Sequence, residues 1–282
     1  MNRADGEPVG IIGLGLLGGA IAQRLTKGGF TVYGFDVRPE CGGQAESAAD
    51  VAGRCNRIVL SLPTSDIAAA VLEEMQPHLR AGALIIDTTT GDPEQIAGFG
   101  AALASRGVRY LDATVGGSSK LVREGAAIVM VGGDPGAFED SRNLLACFSS
   151  QAFHVGPCSS GARMKLVFNL ALGLHRAVLA EALSFAAKCG IDPAAALEVL
   201  KAGAAYSKVM DLKGGKMLNG DFTPEARLSQ HLKDVRLILA AAQRCGAMVP
   251  LSEIHRELLE RAEAAGFGTL DNSAVIKAFE VE

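Results

Sequence analysis

Charge imbalance is nearly absent from this 282-residue sequence, in which 27 Lys and Arg stand against 31 Asp and Glu for a formal net charge of −4. Without a block of like charges it offers no broad attraction to nucleic acid or anionic lipid, so any anionic ligand must be held locally. The first eight residues lack the basic start and apolar centre of a secretory signal. No apolar run is expected to approach the ~18 residues that span a bilayer, and neither nucleic acid nor membrane is expected as a partner. The six cysteines, Cys41, Cys55, Cys147, Cys158, Cys189 and Cys245, show no C-x-x-C pair and no ligand spacing to the five histidines. Reduced thiols in a cytoplasmic protein are the expectation, with no metal. There is also no G-x-S-x-G nucleophile elbow, no repeat and no long linker.

What the chain does have is glycine in a telling place. Gly13, Gly15 and Gly18 follow the apolar stretch at 9–13 and open a helical one at 19–25. In a dinucleotide-binding turn the first such glycine makes the bend, the second lets backbone approach a pyrophosphate, and the third lets helix pack on strand. The phosphates then sit at a helix N-terminus, where unpaired N–H groups favour them. A second apolar strand at 31–35 ends in Asp36, close to the spacing of an acid that holds an adenosine ribose. Gly-rich turns also arise for steric reasons alone, but here strand, glycines, helix, strand and acid fall in order.

Short strands at 9–13, 31–35, 57–62, 84–87, 108–112, 128–132 and 151–155 alternate with helical patterns at 19–27, 67–75, 93–106 and 135–147. That rhythm predicts an α/β Rossmann domain with a mostly parallel sheet. After Gly156 and Pro157 only helical periodicities follow, at 162–189, 193–203, 208–217, 229–244 and 251–265. The expected division is a nucleotide-binding domain at 1–158 and an all-helical domain at 159–282, packed together with ligands between them. The 162–189 helix is apolar nearly all round, which suits a central helix, a subunit interface, or both.

In that helix Lys165 and Asn169 stand at i and i+4, on one face. A lysine desolvated by Leu166, Val167 and Phe168 would have its pKa lowered toward acid/base use; the alternative is a snorkelling surface lysine beside a solvated Asn. Gly116, Gly117, Ser118 and Ser119, at the end of a predicted parallel strand, make either a carboxylate cradle or a flexible turn. Leu62, Pro63 and Thr90 end strands on the same edge and could line a cofactor. Lys233 and Asp234 interrupt a helical pattern and either reach the cofactor or form an exposed pair; His231, two residues earlier, carries slightly more weight than the other histidines, which read as satisfied or solvated.

Together these residues resemble the β-hydroxyacid dehydrogenase family, typified by 3-hydroxyisobutyrate dehydrogenase, within the 6-phosphogluconate dehydrogenase NAD-binding superfamily. Four signatures recur in order: the turn at 13–18, Asp-Ala-x-Val-x-Gly at 112–117, Gly-x-x-x-Lys-x-x-x-Asn at 161–169, and Lys233 with Asp234. The resemblance implies Lys165 as general acid/base, Asn169 positioning substrate, and Ser118 with its neighbours Gly116, Gly117 and Ser119 gripping a carboxylate. It implies cofactor contacts from Gly13, Leu14, Gly15, Leu16, Leu17, Gly18, Asp36, Leu62, Pro63, Thr90 and Lys233. It also implies pairing through the long helix, as a homodimer or homotetramer.

Three departures are visible. Thr114 to Ser118 replace the usual Pro-Val-Ser-Gly-Gly, Phe168 stands where a first asparagine is common, and the stretch from Asp36 to Leu62 reads as if a helix were lost. Asp36 would repel a 2′-phosphate, whereas Arg38 would offset it, so NAD is slightly favoured over NADP. The expected reaction is reversible oxidation of a small anionic 3-hydroxy acid to its semialdehyde. Imine reduction on the same architecture, or nucleotide sensing without turnover, are the alternatives.

Overall fold

A computed structural model describes Gly6 and residues 8–280. Seven strands form one sheet: β1 (Val9–Ile12), β2 (Val32–Phe35), β3 (Arg57–Leu60), β4 (Leu84–Asp87), β5 (Arg109–Gly116), β6 (Ala127–Gly133) and β7 (Ser149–Gly156). Their order is β2-β1-β3-β4-β5-β6-β7, with β1 to β5 parallel, β6 antiparallel to β5, and β7 parallel to β6. The chain goes one way from β1 to β2 and the other way to β3, so the ends of β1 and β3 flank a topological switch point, where such sheets bind ligands. All seven strands fall where the sequence places short apolar stretches.

Alternation along β1 sends Val9 and Ile11 into one apolar core and Ile12 into another on the opposite face. Helices α1 (Leu16–Lys27) and α6 (Pro135–Phe148) supply Ile21, Leu25, Leu144 and Phe148 to the first core. Helices α2 (Ala48–Arg54), α3 (Ser65–Met75) and α4 (Pro93–Ala104) supply Val51, Leu72 and Ile96 to the second. Helix α2 corrects the expectation of a lost helix between Asp36 and Leu62. It is short but present, capped by Ser47 accepting from the Asp50 N–H, and it packs so close to β1 that a Cβ on Gly10 would lie 2.5 Å from Val51. A six-residue helix α5 (Ser119–Glu124) also corrects the picture of a purely flexible Gly-Ser turn.

The chain divides into two compact units, the first ending at Lys165 and the second beginning at Leu166. The second unit is helical: most of α7 (Ser160–Lys188), then α8 (Pro193–Ala202), α9 (Lys208–Asn219), α10 (Leu228–Cys245), α11 (Pro250–Ala262) and a 3₁₀ segment at Asn272–Phe279 that the sequence reading did not anticipate. Its core gathers Leu179, Leu183, Leu197, Met217, Leu232, Val235, Leu259 and Val275. By length and composition α7 is apolar enough to cross a membrane, which corrects the expectation that no segment is. Its Leu179, Ala180 and Leu183 are instead buried in the helical core, while Val167, Val178 and Phe185 are exposed.

Candidate active site

The glycine turn has the geometry its spacing foretells. Gly13 adopts φ +91°, and a Cβ there would sit 2.3 Å from the Ser61 carbonyl oxygen. A Cβ on Gly18 would fall 1.9 Å from the Gly13 carbonyl oxygen, so only glycine lets α1 start this close to β1. Gly15, at the N-cap of α1, has no side chain to cap the first turn, which leaves backbone N–H groups for a pyrophosphate. Leu16 is exposed beside it and Leu17 is half-buried.

Asp36 is drawn into this turn. Its Oδ2 accepts the Leu14 N–H at 2.8 Å, and its Oδ1 accepts the Arg38 backbone N–H at 2.9 Å and Nε at 3.1 Å. Burial opposes the charge, but the hydrogen bonds from Arg38 and Leu14 outweigh it and hold the carboxyl below its ordinary value. The Arg38 guanidinium lies over the turn, 3.1 Å from where a Gly15 Cβ would be. At the end of β3, the Leu62 N–H donates to Thr89 Oγ1 at 3.2 Å, and Pro63 is exposed. Thr88 and Thr89 are buried and committed internally, Thr88 Oγ1 donating to the Leu60 carbonyl; Thr90 is half-buried. The turn residues, Asp36, Leu62 and Thr90 thus share the switch-point edge and fit a dinucleotide.

Lys165 is buried, and its Nζ donates to the Val115 carbonyl at 2.7 Å. That places the ammonium beside the last residues of β5, next to Gly116 and the start of the expected cradle. It is not the solvated lysine of the alternative reading. Gly117 takes φ +149°, Ser118 caps α5 with its Oγ 3.5 Å from the Leu121 nitrogen, and Ser119 is buried.

Asp112 is the residue whose part sequence reasoning missed. Its Oδ1 accepts the Ser159 N–H at 2.8 Å and its Oδ2 accepts the Ala162 N–H at 2.7 Å, so a strand carboxylate caps the helix that bears Lys165. Burial pushes its pKa up to about 6 against those hydrogen bonds. Beside it Thr114 Oγ1 donates to the Gly161 carbonyl at 3.0 Å. The glycine opening the Gly-x-x-x-Lys signature is needed because a Cβ there would lie 2.3 Å from the Asp112 carbonyl oxygen. Two motifs read separately are the two halves of one contact.

One helical turn past Lys165, Asn169 is buried in the second unit, and its Nδ2 donates to Asp234 Oδ2 at 2.8 Å. Lys233 Nζ lies 2.9 Å from Asp234 Oδ1, an ion pair set off the line of a hydrogen bond. The exposed-pair reading is therefore corrected for Asp234, which is buried and orients the Asn169 amide. His231 is buried as well, its Nε2 3.4 Å from Arg176 Nη2 and its ring 5.2 Å from His255. His255 is neither satisfied nor solvated: its Nε2 has no partner, and burial with the Arg176 charge lowers its pKa to about 4. Among the described residues no cluster of three or more His, Cys, Asp or Glu could hold a metal ion.

Residues 8–156 match the family model for the NAD binding domain of 6-phosphogluconate dehydrogenase. Residues 159–279 match the one described as NAD-binding of NADP-dependent 3-hydroxyisobutyrate dehydrogenase. The chain belongs to the β-hydroxyacid dehydrogenase family. A 2-(hydroxymethyl)glutarate dehydrogenase of Eubacterium barkeri is 33% identical to it, over 96% of this chain and 94% of that one. The cytokine-like nuclear factor N-PAC of Xenopus tropicalis is 30% identical, over 97% of this chain but 53% of its own length. Among solved structures, 3-hydroxyisobutyrate dehydrogenase from Salmonella typhimurium superposes with a TM-score of 0.88 at 26% identity, covering 96% of this chain and 99% of that one. As a β-hydroxyacid dehydrogenase, the chain is an oxidoreductase acting on CH–OH groups with a nicotinamide dinucleotide.

Proposed function

We propose that this β-hydroxyacid dehydrogenase reversibly oxidises a small 3-hydroxy acid to its semialdehyde, with Lys165 as the group that takes and returns the hydroxyl proton. The observation that carries the reading is the buried Lys165 ammonium, held 2.7 Å from the Val115 carbonyl beside the Gly116 to Ser119 segment. Family membership alone does not carry it, since a relative bears the name of a nuclear factor. When bound, the nicotinamide supplies the hydride acceptor. Lys165 in its neutral form accepts the alcohol proton as the carbonyl forms, and in its charged form returns it during reduction. Gly116, Gly117, Ser118 and Ser119 hold the substrate carboxylate through backbone N–H groups and hydroxyls. Asn169, its amide fixed by Asp234, presents its remaining polar atom to the substrate. Orientation of this kind is worth several kcal/mol of barrier, on the order of 7 or more in favourable cases.

The proposed division of labour is a nucleotide domain at 1–158 and a helical substrate and dimerisation domain at 159–282. Exposed Val167, Val178 and Phe185 on α7 support pairing of chains through that helix. NAD is the favoured cofactor because Asp36 directly follows β2, but Arg38 cancels much of its charge, so the preference over NADP is about tenfold or less, on the order of 1.4 kcal/mol.

The test is Lys165→Ala assayed by absorbance of reduced nicotinamide against a panel of 3-hydroxy acids, semialdehydes and cyclic imines. Turnover should vanish while the dissociation constant for the cofactor stays within about threefold. An active variant would remove the acid/base assignment, and wild-type turnover of imines alone would favour the imine reductase reading.

A further inference from the structure

We propose that Asp112 is a positioning residue for the reaction: its ionised carboxylate locks the first turn of α7 onto β5 and so fixes the height of the Lys165 ammonium. This rests on Lys165 acting as proposed above.

The lock is built from both sides. Asp112, Thr114 and Val115 are alternate and adjacent residues of β5. They engage, in order, the Ser159 and Ala162 N–H groups, the Gly161 carbonyl and the Lys165 ammonium. Strand and helix therefore climb together, and the cap lies one helical turn before the reacting nitrogen. Gly161 and Gly132 make the approach possible, since a Cβ on Gly132 would lie 2.5 Å from Asp112 Oδ1.

Ser159 shows that the lock is held against resistance. It is the one described non-glycine residue with positive φ, at +75°, and its buried hydroxyl has no partner. A serine held there is strained, and such strain gathers where a functional geometry is enforced. Asp112 itself carries charge in a place that disfavours it. Among the groups that act on it electrostatically are Asp87 on the neighbouring strand, Tyr110 on its own strand and Cys158 just before α7, each of them an acid. A fold selected for stability alone would place a neutral cap here. An ionised carboxylate is the acceptor that takes both N–H groups at once, whereas the protonated form or an amide takes one and opposes the other with a donor.

Two measurements test this. In Asp112→Asn, kcat should fall 10- to 100-fold with KM for the hydroxy acid and cofactor affinity within about threefold, because the proton acceptor moves while the binding surfaces remain. The wild-type kcat profile should show an acid limb near pH 6 that the variant lacks. Wild-type kcat in the variant, or the same limb retained, would overturn the proposal. The second measurement needs no variant: hydrogen exchange of the Ser159 and Ala162 amides in the wild-type enzyme, corrected for intrinsic rate, should lose protection as pH falls from 7 to 5 in step with the limb. Unchanged protection would overturn it as well. An active Lys165→Ala enzyme whose 159–162 amides still respond to pH would sink the acid/base reading and leave the lock standing as structure. A kcat that ignores the amide response would sink the positioning role and leave Lys165 in place.

Discussion

Replacing Gly161 by Ala should injure stability and catalysis together. The added methyl would sit 2.3 Å from the Asp112 carbonyl oxygen and 2.6 Å from that of Met130, both backbone atoms that no rotamer change can move. Reaching even a 3.0 Å contact requires the first turn of α7 to retreat by about 0.7 Å. Three hydrogen bonds lie across that gap, two to the Asp112 carboxylate and one from Thr114. At about 1 kcal/mol net for each bond, and more for those to a charged acceptor, the variant should lose about 3 kcal/mol. A displacement approaching 1 Å at the base should lower kcat by about 100-fold. Urea denaturation followed by circular dichroism gives the first quantity and initial rates the second. Gly53→Ala is the matched control: Gly53 lies within α2 with nothing within 4 Å of its missing Cβ, so it should gain about 0.5 to 1 kcal/mol with rates unchanged. A Gly161→Ala enzyme within about 1 kcal/mol of wild type and within about twofold in kcat would refute the close-contact argument.

Arg38→Ala should weaken NADP binding about tenfold and leave NAD within about twofold, read by fluorescence titration; equal losses would show that Arg38 serves only the turn. Because Asp112 has a folded pKa near 6, above its ordinary 3.8, its contribution to stability is fullest below pH 4 and declines as pH rises through 6. Wild type should therefore lose about 3 kcal/mol relative to Asp112→Asn across that window in urea titrations at fixed pH; a constant difference would contradict the burial of this charge. Tyr110→Phe removes the hydroxyl that donates to Asp87 Oδ2 at 2.7 Å and should destabilise by about 2 kcal/mol in the same assay. If chains pair through α7 as proposed, Val178→Asp on its exposed face should shift light-scattering mass to a smaller species; an unchanged mass would count against that pairing.

The strands could be read from sequence because each holds a short apolar stretch set off by the βαβ rhythm. Helix α2 escaped because seven residues, one of them Gly53, carry too little periodicity, although Ser47 with Asp50 three residues on is a capping pattern that marks its start. The 3₁₀ segment at Asn272–Phe279 escaped because its burial depends on helices distant in sequence. Helical spacing placed Lys165 and Asn169 on one face and left a surface lysine open; their roles came from the family resemblance. Their anchors, Asp112 and Asp234, lie 53 and 65 residues away in sequence, so only the folded chain shows what each holds. Asp36 was found, but its bond to Leu14 ties the second strand to the glycine turn in a way no spacing rule encodes.

The fit between β5 and the opening of α7 also dictates where this protein can be recombined with a relative. A splice at Gly156 would hand the incoming segment a foreign rail, with Asp112 and Thr114 facing residues for which they were not matched. Joining the parents after Lys165, where the compact units divide, keeps rail and rider from the same parent. Libraries cut at the second junction should therefore yield more working hybrids than those cut at the first.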